Sequence, residues 1–201
     1  MDFALGDDIE ALHAAARAFL DEQMTPELEE HLYRTGDSYD AGFAAALRER
    51  GWLAAGWSDD GAVAHDPLEH QALREEQHRA DAPVYATGTT MLVSRALLKV
   101  GTEAQQAEIL PRALRGEILI VLGFSEPEAG SDVANAQTRA VRDGDEWVIN
   151  GSKMFTTNAH IADYVFLLTR TNPDVAKHKG LTTFLVPMKQ AGVEVQAVRT
   201  V

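Results

Sequence analysis

The 201-residue chain sets 18 Lys and Arg against 31 Asp and Glu, a formal net charge of −13 at pH 7, and such a surface repels a phosphate backbone, so nucleic acid is not an expected partner. Its 45% hydrophobic and 24% charged residues are those of a folded globular protein long enough for one large core or two modest ones. There is no cysteine, which excludes disulfides, thiolate nucleophiles, zinc–thiolate sites and iron–sulfur ligands and leaves any redox chemistry to a bound cofactor.

The first residues include Asp2, Asp7, Asp8 and Glu10, where a signal peptide would be basic and then apolar, and no window approaches the roughly 18 to 20 apolar residues of a membrane span. The expected compartment is the cytoplasm. After Asp7 and Asp8, both good capping residues, Ile9, Leu12, Ala16, Phe19 and Leu20 recur at helical spacing. Asp40 is placed to cap a helix carrying Phe43 and Leu47 and ended by Gly51, and Asp66-Pro67-Leu68-Glu69 is a strong start for a helix running to about Arg79. Thr90 to Lys99 and Glu103 to Arg115 add two apolar-periodic stretches, separated by Gly101 and closed by Gly116. To this point the chain reads as all-α.

From Ile118 the pattern becomes that of strands. Ile118 to Phe124 is an apolar run entering the turn-rich Ser125-Glu126-Pro127-Glu128-Ala129-Gly130-Ser131. Thr138 to Arg142 and Glu146 to Ile149 flank Asp143-Gly144-Asp145, and Asn150-Gly151 leads into Lys153 to Thr157, so a three-strand meander is expected. Tyr164 to Thr169, Leu181 to Val186 and Val193 to Val198 would complete an antiparallel, barrel-like set. The fold class is therefore α+β, with a helical domain over 1–117 and a β-domain over 118–201. Ending on Thr200-Val201 within strand-like sequence, the β-domain is expected to be truncated.

Two stretches could carry chemistry. In Leu122-Gly123-Phe124-Ser125-Glu126-Pro127-Glu128-Ala129-Gly130-Ser131-Asp132, backbone amides freed at Gly130 and Ser131, with the Ser125 and Ser131 hydroxyls, can hold an anionic or polar cofactor group; a capped β-turn explains the same residues equally well. In Lys153-Met154-Phe155-Thr156-Thr157-Asn158 an aromatic ring beside two hydroxyls could stack on and hydrogen-bond a flat ring, and an ordinary strand end is the plainer account.

In this order and at this spacing, Ser125 to Asp132 and Gly151 to Asn158 resemble the acyl-CoA dehydrogenase signature: threonine or serine, Glu-Pro, a variable residue and Ala-Gly-Ser-Asp, then Gly-Ser-Lys, an aromatic and Thr-Asn. Gly101-Thr102-Glu103 through Leu110-Pro111 to Arg115-Gly116-Glu117, and Gly192-Val193 to Thr200, extend the likeness over nearly the whole chain. The resemblance implies an oligomeric flavoprotein that binds FAD. In this family a carboxylate removes the α-proton of an acyl-CoA, the β-hydride passes to the flavin, and a trans-2-enoyl-CoA results. By position, Leu122, Gly123, Phe124 and Ser125 would run along the flavin ring. Gly130 and Ser131 would sit by the pyrophosphate, with Ser131 also near the substrate's CoA portion. Phe155 would stack on the isoalloxazine, with Thr156 beside it and Thr157 near N5. An electron-transfer flavoprotein would be the acceptor.

Departures from the family pattern are Phe155 where many relatives have tryptophan, Glu128 where glycine is common, and Ser58 to Ala64 without a paired-glycine loop. The family's base is a carboxylate from a carboxy-terminal helical domain not found in these residues, so no catalytic residue is assigned. Glu126, Glu128 and Asp132 fall in the cofactor loop as structural groups. An inactive fragment is expected, or a non-catalytic subunit of a heteromeric enzyme. The stretch Lys177 to Pro187 is similar to bacterial members that take bulky or branched acyl groups, including sterol-derived ones. Lys177, His178 and Lys179 could meet CoA phosphates, and a solvated charge run is the alternative. A rival reading rests on Glu10-Ala11-Leu12-His13 and Glu75-Glu76-Gln77-His78, the ligand spacing of a di-iron carboxylate bundle. A metal assay set against a flavin spectrum separates the two.

Overall fold

Side-chain caps set several helix starts in the computed structural model, which describes residues 6–53 and 67–198. Thr25 Oγ1 accepts from the Leu28 amide ahead of α2, Asp40 Oδ1 from the Phe43 amide ahead of α3, and Thr102 forms a capping box with Gln105 ahead of α6. The chain divides into two units, Met1–Glu117 and Ile118–Val201.

Six α-helices are described in the first unit: α1 (Asp7–Gln23), α2 (Pro26–Thr35), α3 (Ala41–Glu49), α4 (Pro67–Arg79), α5 (Tyr85–Val100) and α6 (Glu103–Leu114). Gly6, not Asp7 or Asp8, is the N-cap of α1; the two aspartates lie in its first turn, where carboxylates favour the helix dipole. Helix α2, unread in the sequence, has its own signals in Thr25, Pro26 and a left-handed Gly36 C-cap. Asp66, Ser58–Ala64, Asp2 and Thr200–Val201 lie outside the described residues. Among the described residues no helix is long and apolar enough to cross a membrane.

The periodic apolar faces meet in a cluster of Phe19, Leu20, Phe43, Ala44, Leu47 and Leu53, with Trp52 edge-on to Phe19 at 5.3 Å between ring centroids. A polar lock joins α1 to α4. The Glu76 carboxylate is buried, yet accepts from Arg17 Nη2 and Nε at 2.7 and 3.1 Å, from Arg79 Nε at 2.7 Å, and faces His13 Nδ1 at 3.1 Å. The Arg17 hydrogen bond, against the opposing effect of burial and with help from Arg79 and His13, holds its pKa down at about 2, from 4.5. Across the two Glu-x-x-His motifs His13 faces Glu75 at 3.8 Å and the intervening Glu76 at 3.1 Å, and guanidinium groups fill the Glu76 carboxylate. No group of three His, Asp or Glu side chains among the described residues is placed to hold a metal ion.

The second unit is built around a central strand. Its strands are β1 (Ile120–Gly123), β2 (Arg139–Asp143), β3 (Glu146–Asn150), β4 (Tyr164–Arg170) and β5 (Leu181–Pro187). β4 pairs in parallel with β1, Ile120 opposite Tyr164, and antiparallel with β5 along its length; at its end Arg170 meets Arg139 of β2, again in parallel. The Asp163 carboxylate anchors the β1–β4 register by accepting the Leu119 amide at 3.0 Å.

The sheet is therefore mixed and open among the described residues, not the antiparallel barrel-like set expected. Hairpin logic holds for β2–β3, whose Asp143-Gly144-Asp145 turn joins an antiparallel pair. It fails for β1 and β4, because the β2–β3 hairpin intervenes and returns the chain in the same direction. The expected third meander strand, Lys153 to Thr157, is not a strand: Phe155 takes a left-handed φ of 56°, which breaks a ladder. Val193 to Val198 likewise forms no strand and is mostly exposed.

Two predictions follow from these contacts. A Cβ on Gly151 would lie 2.7 Å from Thr138 Cα and 2.5 Å from its Oγ1, so Gly151→Ala should cost about 1–3 kcal/mol in urea unfolding of the β unit. Glu76, with its pKa lowered from 4.5 to about 2, contributes stability that is present above pH 4.5 and lost as pH falls toward 2. Glu76→Gln should be less stable at pH 7 by about 1–3 kcal/mol and lose less on acidification than the wild type; an equally steep fall would refute the lock.

Candidate flavin site in the β unit

The two motif stretches, separate in sequence, lie against one another within the β unit. β1 ends at Gly123, whose Cβ position would overlap Val165 and Leu167 side chains at 2.7 and 2.9 Å, so only glycine keeps that strand end flush with β4. Phe124 and Ser125 continue beyond it, half-buried. Glu126 to Ala129 then closes a tight turn, with Glu126 and Ala129 exchanging backbone hydrogen bonds of 2.8 and 3.1 Å. Gly130 and Ser131 emerge from it exposed.

Alongside runs a strap without regular structure, residues 151–156. Its Met154 amide donates to Ser125 O at 2.9 Å, and Lys153 Nζ donates to Phe124 O at 3.3 Å and to Glu126 Oε1 at 2.7 Å. The strap ends in Phe155, 73% exposed at positive φ, and Thr156, whose Oγ1 is buried without a hydrogen-bond partner. Thr157 is exposed and its amide turns back to Phe155 O. An aromatic residue held in the left-handed region with its ring in solvent is strained in a way the fold itself does not need.

Of the residues that hold these pieces, sequence reasoning placed Glu126 in the loop as a structural group but missed its tie to Lys153 and the role of Arg170. Glu126 is buried; besides Lys153 it accepts the Gln137 amide at 2.6 Å and the Thr138 amide at 2.9 Å. Burial would raise its pKa, but the Lys153 ammonium and these two amides outweigh that and hold it at about 2. Arg170 donates to Ala136 O, Ala134 O and Lys177 O at 3.0, 2.6 and 3.0 Å, clamping the chain that follows Ser131. Lys177 pairs with Asp132 at 2.6 Å, so one cation of the Lys177–Lys179 run is engaged and the rest is solvated. No local pattern announces partners 27 or 34 residues apart. In the helical unit, a groove of about 490 Å³ flanked by Tyr33 and Tyr85 holds none of the motif residues, so chemistry and not concavity selects the β-unit site.

Residues 6–117 match the profile of the acyl-CoA dehydrogenase N-terminal domain and residues 121–201 that of the acyl-CoA dehydrogenase middle domain. The chain belongs to the acyl-CoA dehydrogenase family. It is similar to acyl-CoA dehydrogenase FadE29 of Mycobacterium tuberculosis, 39% identical over 185 residues that cover 90% of this chain and 47% of the relative. FadE26 of the same organism is 37% identical over 201 residues, covering 95% and 50%. Among solved structures, the Tcur3481-Tcur3483 steroid ACAD matches with a TM-score of 0.83 at 38% identity, and the ChsE4-ChsE5 complex from M. tuberculosis with 0.83 at 36%; each match covers 96% of this chain and 50% of that one. A glutaryl-CoA dehydrogenase from Mycobacterium smegmatis in complex with FADH2 matches with 0.77 at 26% identity, covering 94% and 47%. This chain thus spans about half the length of the curated relatives it matches.

The exposed, strained ring yields a test. Phe155→Gly, which removes both the ring and the unfavourable φ, should change the stability of the ligand-free chain by less than about 1 kcal/mol in urea unfolding. A larger loss would assign Phe155 to the fold's own packing.

Proposed function

We propose that this chain supplies the amino-terminal and middle portions of an FAD-dependent acyl-CoA dehydrogenase, which introduces an α,β double bond into an acyl-CoA thioester. The observation that carries this reading is the strap: an exposed Phe155 ring beside the buried, unpartnered Thr156 Oγ1, tied to Ser125 by the Met154 amide. A flat, polar-edged ring offers such a set both a stacking face and a hydrogen-bond partner. FAD, when bound, supplies the acceptor for the hydride leaving the substrate. Leu122, Gly123, Phe124 and Ser125 would line its ring on one side, with Phe155, Thr156 and Thr157 on the strap. Gly130 and Ser131 would present backbone amides and a hydroxyl to its phosphates, Ser131 also meeting the CoA portion of the substrate. Gly130 fits that role, since the space where a Cβ would project is open.

The base belongs elsewhere in this reading. Glu126 is held ionised and buried by Lys153 and two backbone amides, which suits an anchor and not a group that must take up a proton near neutral pH. An electron-transfer flavoprotein is the proposed acceptor. A second reading, a non-catalytic subunit in a heteromeric enzyme, is favoured by the likeness to the Tcur3481-Tcur3483 and ChsE4-ChsE5 assemblies. The likeness to a steroid ACAD supports a bulky acyl group as substrate.

The test is a visible spectrum of the chain after incubation with FAD and gel filtration. Resolved flavin bands should stay with the protein. Gly130→Ala, with nothing within 4 Å of the added methyl group and no left-handed φ, should leave the melting temperature unchanged or slightly higher while lowering retained flavin about tenfold or more. No retained flavin in the wild type would overturn the reading.

A further inference from the structure

We propose that the Glu126–Lys153 ion pair is a positioning device, which registers the strap carrying Phe155 to Thr157 against the turn carrying Ser125, Gly130 and Ser131. The inference rests on the flavin-site reading above and assigns the pair no contact with the flavin. The turn, the strap and the approach to β2 converge on one carboxylate. Glu126 directly follows Ser125 and opens the turn that leads to Gly130; its Oε1 takes the Lys153 ammonium at 2.7 Å, and its two oxygens take the Thr138 and Gln137 amides.

The strap depends on that pair because it has no ladder of its own. Residues 151–156 form no strand, and of the bonds described between strap and turn one is the Met154 amide to Ser125 O, while the others come from the Lys153 ammonium. Lys153 lies two positions before Phe155. A shift of its ammonium therefore moves the ring and the Thr156 and Thr157 hydroxyls relative to Ser125.

Stability alone does not account for the choice of residues. Both side chains are nearly buried, with 10% of Lys153 and 5% of Glu126 exposed, so each is taken out of water to make the pair. An apolar pair of similar volume commonly serves a fold as well or better. What an apolar pair lacks is direction. The ammonium, gripped between Glu126 Oε1 and Phe124 O, fixes one separation and one orientation of strap and turn, as a ligand needing stacking and hydrogen bonds at once requires.

A double-mutant cycle on FAD binding by the full chain tests this, with Lys153→Met, Glu126→Gln and the double variant, each checked for folding by far-ultraviolet circular dichroism. Each single variant should weaken FAD at least tenfold, the double should be no weaker than the worse single, and at saturating FAD the visible circular dichroism of bound flavin should differ from wild type. Variants that bind FAD like the wild type, or whose effects simply multiply, overturn the positioning role while leaving the flavin reading intact. A wild type that binds no FAD overturns both. Should a variant fail to fold, amide exchange at Met154 in the wild type decides: protection already present without FAD supports the device, and protection appearing only with FAD overturns it.

Discussion

A carboxylate removed from water must find donors, and in the β unit that requirement at Glu126 ties together segments that no strand pairing joins. Its donors come from the approach to β2, through the Gln137 and Thr138 amides, and from the strap, through Lys153. Lose the carboxylate and the buried Thr138 amide is left unpaired, an outcome costlier than the bond is worth by itself. The turn from Glu126 to Ala129 and the exposed Gly130-Ser131 that follows take their position from it. Arg170 performs the complementary task from β4, spreading one guanidinium over three carbonyls of chain that lacks regular structure.

The helical unit meets a similar problem in the same way. Glu76 sits between α1 and α4, buried, with Arg17 and Arg79 reaching in from positions that remain half in solvent. In both units the ionised acid is held far below its ordinary pKa, so an acidic chain of net charge −13 draws order from two of its carboxylates. The arrangements differ in consequence. Arginines that stay wet can return to water if Glu76 is removed, whereas Lys153 is nearly enclosed and cannot.

Much of this was legible in the sequence, for reasons that differ by element. Periodicity announced α1, α3, α4, much of α5 and α6 because helices are closed by local bonds, and Asp40 marked the start of α3, where its carboxylate accepts the Phe43 amide. The β2–β3 hairpin was legible for the same reason, in its Asp143-Gly144-Asp145 turn. The α+β class and the family could be read from motif order. Parallel pairing of β1 with β4 could not, since each is only an apolar run until the other is present. Nor could the strap: Lys153 to Thr157 follows the Asn150-Gly151 turn signal as a next strand would, and only the positive φ at Phe155 and Asn158 shows that the backbone leaves the sheet. At the candidate site the sequence named three exposed groups, Ser131, Phe155 and Thr157, and the half-buried Ser125, while the contacts that hold them, Lys153 on Glu126 and Arg170 on the Ser131 loop, act across 27 to 36 residues.

That division has a physical cause. Groups that meet a ligand are free to be exposed and polar at a cost the ligand later offsets, so they stand out against the hydrophobic pattern. Groups that position them must be satisfied within the folded chain and so look like ordinary salt bridges. Phe155 is the clearest instance of the first kind, a large ring left 73% exposed on a strained backbone. In the proposed site such an arrangement would lower the stability of the empty protein and gain when a flat partner covers the ring, coupling ligand binding to the order of the strap. On that view the rigidity proposed for the buried pair and the strain at Phe155 are complementary: the pair holds the strap that presents the ring. In the proposed site the ion pair would hold the exposed ring in place until binding offsets its cost.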